Sequence, residues 1–271
     1  MKQAIILSIS FGALIASGAL HAQESQLPNA YVGAALQSLI DAEKTTYDKY
    51  VVKRSKAHGC TIAKNMTELK TNDKAIPSIA DFQGIVGIAA SALDNGKYAA
   101  YLDPAALKTR PGAMSAKDAA DLLHAYADIS RTNYTASVVA RAHKSGCSKS
   151  SEQWAEDKGL PLPAQFTRMT AAAVSKAGKF TYSLQSEWPI NKQNAAKTPF
   201  EKEGIKITLL GKNHYGTEIL GGKKYFSAAY PDVATNAACT GCHNEHGDSP
   251  KKDFKLMDVM GDMVVRIPLN N

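Results

Sequence analysis

The chain has 271 residues, 44% hydrophobic and 21% charged, ordinary globular usage that excludes a disordered or collagen-like polymer. Lys and Arg outnumber Asp and Glu by 32 to 25, a net charge of +7. The basic residues are scattered, with no Arg-rich helix or aromatic–basic alternation, so nucleic acid is not an expected partner.

Residues 1–22, MKQAIILSISFGALIASGALHA, carry a basic start at Lys2, an apolar run from Ala4 to Leu20, and the small residue Ala22 before a polar stretch. This pattern predicts a secretory signal peptide cut after Ala22. The expected mature protein is periplasmic, in an oxidising compartment. It has no expected membrane span, because no later stretch reaches the ~20 apolar residues that a bilayer requires.

Two segments, Asp41–Cys60 and Asp128–Cys147, align at a constant offset of 87 residues. Eight of twenty positions are identical, among them Tyr47/Tyr134, Arg54/Arg141, Gly59/Gly146 and Cys60/Cys147. Such a match indicates an internal repeat. It continues through Ile76–Phe82 against Leu160–Phe166 and Gly96–Tyr98 against Gly178–Phe180, then stops. The expected organisation is a truncated, mainly helical repeat over residues 30–105, a linker over 106–117 and a complete domain over 118–271. Each copy should open with a long helix; in the first, Leu36, Ile40, Tyr47 and Val51 share a face. Gly59 and Gly146 stand where helices end. Second helices are expected over Ile79–Leu93 and Ala164–Ala177. Short strands are expected over Phe180–Leu184, Ile205–Leu210, Tyr225–Tyr230 and Met263–Ile267. The fold class is therefore α+β, with helices packed on a small antiparallel sheet.

Cys239-Thr240-Gly241-Cys242-His243 is a C-x-x-C-H, the attachment signature of c-type haem. Two thiols at this spacing reach the two vinyl groups of one porphyrin as thioethers. The adjacent imidazole then serves as an axial ligand to the iron. One covalent haem c is the expected cofactor, with His243 as proximal iron ligand. The truncated first copy has no such motif and is expected to be haemless. A zinc site would need further ligands, for which His246 and His214 are the candidates. A thioredoxin-like pair would need a preceding strand, which the polar Asn236-Ala237-Ala238 does not suggest.

From Leu160 onward the chain resembles a c-type haem domain family of uncharacterised role, with a cyanobacterial member. The residues that carry the likeness are Leu160-Pro161-Leu162-Pro163-Ala164, Phe200-Glu201, the run Cys239 to Phe254, and Asp258-Val259-Met260-Gly261. The resemblance implies a PAS-like antiparallel sheet with long N-terminal helices and a haem near the C-terminal end. It also implies kinship with haem sensor domains of kinases and chemoreceptors. One departure is visible: the family usually has glycine before Asp258-Val259, where this chain has Met257.

Two cysteines remain, Cys60 and Cys147. In an oxidising compartment they most simply form one disulfide. The resemblance offers an alternative: its cyanobacterial member uses a cysteine from the N-terminal helical region opposite the histidine, which makes Cys147 a candidate distal ligand to the iron. His143 and the methionines among Leu256, Met257, Met260 and Met263 are further candidates. Lys251 and Lys252 are candidates to pair with haem propionates.

The expected function is electron transfer by a periplasmic monohaem cytochrome with an unidentified redox partner protein. The alternative is redox or gas sensing through a partner. An enzyme such as a peroxidase is least favoured, since it needs distal acid–base groups, for which Arg141 and His143 are the candidates.

Overall fold

The computed structural model describes residues 25–269; the signal peptide expected over residues 1–22 lies outside them. Among the described residues no helix is long and apolar enough to cross a membrane. Strand β1 (Gln26–Pro28) leads into the long helix α1 (Asn29–Tyr47), which passes through a π turn (Asp48–Val52) into α2 (Lys53–Ala57). Then follow β2 (Thr61–Ile62), α3 (Met66–Thr71), β3 (Ala75–Ile76), α4 (Ile79–Ala92) and α5 (Pro104–Thr109). A second round comprises β4 (Ala113–Ser115), α6 (Ala116–Asn133), a π turn (Tyr134–Val139), α7 (Ala140–Lys144), β5 (Ser150–Ser151), β6 (Leu160–Pro161) and α8 (Pro163–Ala177). It continues through β7 (Thr181–Gln185), α9 (Pro199–Thr208), β8 (His214–Leu220), β9 (Lys223–Val233), α10 (Ala237–Glu245) and β10 (Val259–Pro268). The fold is α+β.

The segments that align in sequence fold alike. Tyr47 and Tyr134 are fully buried, and each donates its hydroxyl to a proline carbonyl, of Pro77 and Pro161, at 2.8 Å. Each ring stacks on a phenylalanine of the next long helix, Phe82 at 4.8 Å and Phe166 at 4.2 Å. Gly59 and Gly146 take φ of +85° and +67°, the left-handed conformation that turns a chain out of a helix. A short parallel bridge follows each turn, β2 with β3 and β5 with β6.

Contacts between the halves are reciprocal. Arg54 donates to the carbonyl of Ala155 at 2.9 Å, with its guanidinium over the Trp154 ring. Its counterpart Arg141 donates to the carbonyls of Ala75 at 3.0 Å and Leu69 at 2.5 Å. Ser130 donates to Glu43, the residue 87 positions earlier. Cys60 and Cys147 are joined by a disulfide, with Cα atoms 5.0 Å apart. One apolar core runs through both halves, from Leu27 to Ile267. Residues 106–117, expected to be a linker, hold the end of α5, all of β4 and the start of α6; β4 pairs antiparallel with β1.

The four-stranded antiparallel sheet has the order β7-β10-β9-β8. Met263, Val265 and Ile267 of β10 join the main core, on the face where Tyr230 reaches Asp121 of α6. Val264 faces the other way, with Phe200 of α9 and Ala229. Residues 205–210, expected to be a strand, are instead the end of α9 and the turn after it. A capping box overrides their β-branched composition: Glu201 N–H donates to Thr198 Oγ1 at 3.2 Å, and Glu201 accepts the Thr198 N–H at 2.9 Å. Phe200, Gly204, Ile205 and Thr208 then bury on one helical face.

Candidate functional site

The chain leaves β9 through Ala234. Its N–H donates to the carbonyl of Asp258, and the Met257 N–H returns to the carbonyl of Ala234, both at 2.9 Å. Asn236 caps α10, its Oδ1 accepting the Ala238 N–H at 2.8 Å. On α10, Cys239, Cys242 and His243 stand at i, i+3 and i+4, which places them on one face. Cys239 packs with Ala234, Phe254, Met260 and Trp188, while Cys242 is exposed. His243 is half-buried and meets Phe254 edge-on at 5.8 Å. Its Nδ1 is buried without a hydrogen-bond partner. Burial holds His243 below the usual histidine range, which favours the neutral imidazole, the form that offers a lone pair to a metal.

The residues after the motif fasten the following loop to this helix. Asn244 accepts the N–H of Phe254 and donates to its carbonyl, both at 2.9 Å. That clamp sets the Phe254 ring beside His243. His246 accepts the Asp248 N–H on Nδ1 at 3.0 Å and turns Nε2 to Glu152 at 2.9 Å. Lys251 pairs with Asp253 at 2.5 Å and lies over the Trp188 and Phe254 rings. Met257 adopts φ +73°. Met257 thus holds with a side chain a left-handed turn that glycine adopts at no steric cost. Gly261 ends the motif at an irregularity of the β9–β10 ladder. A Cβ there would lie 2.0 Å from the carbonyl oxygen of Gln185.

The structure thus brings Cys239, Cys242 and His243 together and sets the other candidates elsewhere. The Cys147 sulfur is bonded to Cys60; it has no thiolate to offer, so its candidacy as distal iron ligand is corrected. Arg141 is occupied by carbonyls of the first copy, and His143 is exposed on α7. Met263 lies in the main core, Met260 is buried with Phe254, and Leu256 and Met257 are exposed. His214 rests against Phe200, and His246 is engaged by Glu152. Among the described residues no group of three or more His, Cys, Asp or Glu side chains is placed to hold a bare metal ion. Two unpaired thiols and a neutral imidazole with an orphaned nitrogen, on one helix face, suit attachment of a haem.

Sequence reasoning did not identify the surroundings. Arg131 of α6 bonds Asp232 of β9 at 2.9 and 2.5 Å and Asp128 at 2.9 Å. Ser186 donates to the carbonyl of Met260 at 2.6 Å and accepts the Trp188 N–H. Arg131 and Asp232 are 101 residues apart, and no spacing in the chain links them.

No curated protein and no solved structure matches the chain. Residues 111–268 match the model of a family described as Tll0287-like (Tll0287). The match takes in α6, the whole sheet and α10, and leaves α1 to α5 outside. Covering more than half of the chain, it shows that the protein belongs to the Tll0287-like family, which points to a haem-binding domain.

Proposed function

We propose that this protein is a periplasmic c-type cytochrome with one covalent haem, and that it carries electrons. The observation that carries the reading is the division of the four cysteines. Cys60 and Cys147 are joined to each other, while Cys239 and Cys242 stand unpaired on the helix face that also presents His243. Cys239 and Cys242 would hold the haem as thioethers, and His243 would be its proximal ligand. When bound, the haem supplies a reversible one-electron centre. The chain's own residues shape its surroundings: Phe254 and Trp188 supply apolar walls, Asn244 fixes Phe254, and the Arg131–Asp232 pair sets the charge nearby. We read the sheet between α6 and α9 as the PAS-like core that the sequence resemblance implies. Residues 30–105 are on this reading a truncated, haemless duplicate packed where a second subunit would sit.

The test is direct. The mature band on a denaturing gel should keep its haem stain, and a pyridine haemochrome spectrum should count one haem per chain. Changing both Cys239 and Cys242 to Ala should abolish both signals; a stain lost on denaturation overturns covalent attachment. His243→Ala should disturb the Soret band of attached haem.

A second reading has its own observation. The disulfide removes Cys147, the distal ligand that the resemblance suggested, which favours an open sixth position and a gas or redox sensor acting through a partner. Failure of the reduced protein to bind carbon monoxide supports the carrier, and rapid binding supports the sensor.

A further inference from the structure

Helix α1 places one carboxylate in the interior between the two copies. Glu43 is fully buried. Its Oε1 accepts the Ser130 hydroxyl of α6, and its Oε2 has no partner. Beside it lies a cavity of about 10 Å³, whose walls include Glu43, Ser130 and Arg131; such a space suits about one water. The ionisable groups facing Glu43 are Tyr47 on α1, Tyr126 and Arg131 on α6, and Tyr182 on β7. Helix α8 presents only Phe166, Thr167 and Thr170 to the cavity. Burial pushes the three tyrosines far above neutrality, and arginine keeps its charge throughout. Glu43 is therefore the group in this cluster that titrates in the physiological range. Burial lifts its carboxyl to about 7, against the lowering effect of the Ser130 bond.

A chain of contacts leads from Glu43 to the C-x-x-C-H helix. Arg131 lines the cavity and grips Asp232. Asp232 stands two residues before Ala234, against which Cys239 packs.

We propose that Glu43 is the proton acceptor coupled to reduction of the haem. With a haem held by Cys239, Cys242 and His243, its reduction by a one-electron donor would be matched at Glu43, whose carboxylate would take one proton from solvent and become a neutral acid. When the electron leaves, the proton returns to solvent. Electron and proton together leave the net charge of the buried region unchanged, which avoids an uncompensated charge in low dielectric. The inference rests on the haem reading above. It gives the N-terminal segment a role, since Glu43 lies outside the matched residues 111–268. At the equivalent position the second copy carries Ser130, which donates the hydrogen bond.

The experiment is a titration of the midpoint potential of the holoprotein against pH, from about pH 5 to about pH 9, bracketing the expected carboxyl value. The wild-type potential should fall as pH rises through neutrality, by no more than the slope of one proton per electron. Glu43→Gln, which keeps the shape, should give a flat profile. Ser130→Ala removes the bond that favours the ionised acid and should move the inflection to higher pH. Asp262→Asn, at a second buried acid, should keep the slope. A flat wild-type profile, a Glu43→Gln profile that keeps its slope, or a slope lost only in Asp262→Asn overturns the proposal. Absence of covalent haem from the preparation overturns the underlying haem reading instead, and the haemochrome spectrum reports that separately.

Discussion

The N-terminal segment and the family domain begin with the same succession of elements and end differently. Both build a long helix, a π turn, a left-handed glycine, a cysteine and a short parallel bridge, and both bury a tyrosine on a proline carbonyl. They part after Tyr98 and Phe180. The first closes with the short helix α5, which packs back on α1; the second runs on into the four-stranded sheet and α10. The helical half is thus a packing unit, whereas the candidate site belongs to the extension. What the first copy adds lies at the junction: Cys60 for the disulfide, Arg54 for the Trp154 loop and Glu43 for the interior.

The largest expected effect comes from cutting the junction. Cys60→Ser or Cys147→Ser opens a link between residues 87 apart, and a crosslink of that span contributes about 4.6 kcal/mol by loop-closure entropy. Denaturant unfolding should show a loss of that order for either variant. The Soret band of loaded protein should stay put in both; a shift confined to Cys147→Ser would restore it as a ligand and break the comparison between the copies.

Next comes a change confined to the extension. Gly261→Ala drives a Cβ to 2.0 Å from the Gln185 carbonyl oxygen, a backbone clash that should cost about 3 kcal/mol or more. The melting temperature should fall. If the helical halves are the common packing unit, far-UV circular dichroism should keep its helical signature while the sheet loosens.

A graded effect, up to about 4 kcal/mol for each group over the whole range, separates the halves by pH. Burial lifts both Glu43 in the first copy and Asp262 in the sheet to about 7. Neither oxygen of Asp262 has a partner. In the unfolded chain such acids titrate near about 4. Between those values the folded state holds protons that the unfolded state has lost. Stability should therefore fall as pH rises from about 4 to about 7, by at most ~1.4 kcal/mol per pH unit for each group, and then level off. Glu43→Gln and Asp262→Asn should each remove one share of that slope in denaturant titrations.

The smallest effect is at Met257, which holds φ +73° with an exposed side chain. Met257→Gly should relieve a left-handed residue and raise stability by about 1 kcal/mol. Unchanged or lower stability in thermal unfolding would show that the turn costs nothing with methionine in place.

The sequence by itself determined whatever depends on spacing within one element. Cys239, Cys242 and His243 share a face because a helix repeats every 3.6 residues, and that was legible from the motif. So were the long helices, their glycine ends and three of the four strands of the main sheet. The alignment at 87 residues anticipated the matching tyrosines and turns. Tertiary structure alone decided what depends on partners distant in the chain. Residues 205–210 carry β-branched side chains, yet the Thr198–Glu201 cap and burial on the sheet made them helical and left the edge strand to His214–Leu220. Two spare cysteines most simply suited a bond on paper, with a ligand role for Cys147 left open. Packing the two copies face to face brought Cys60 and Cys147 to 5.0 Å, within bonding reach, and removed the choice. Arg131 and Asp232, like Glu43 and Ser130, meet only because one shared core places their helices and strand side by side. Those side chains become effective through burial, which strengthens charge interactions and raises carboxyl pKa values, and burial is a property of the packed chain.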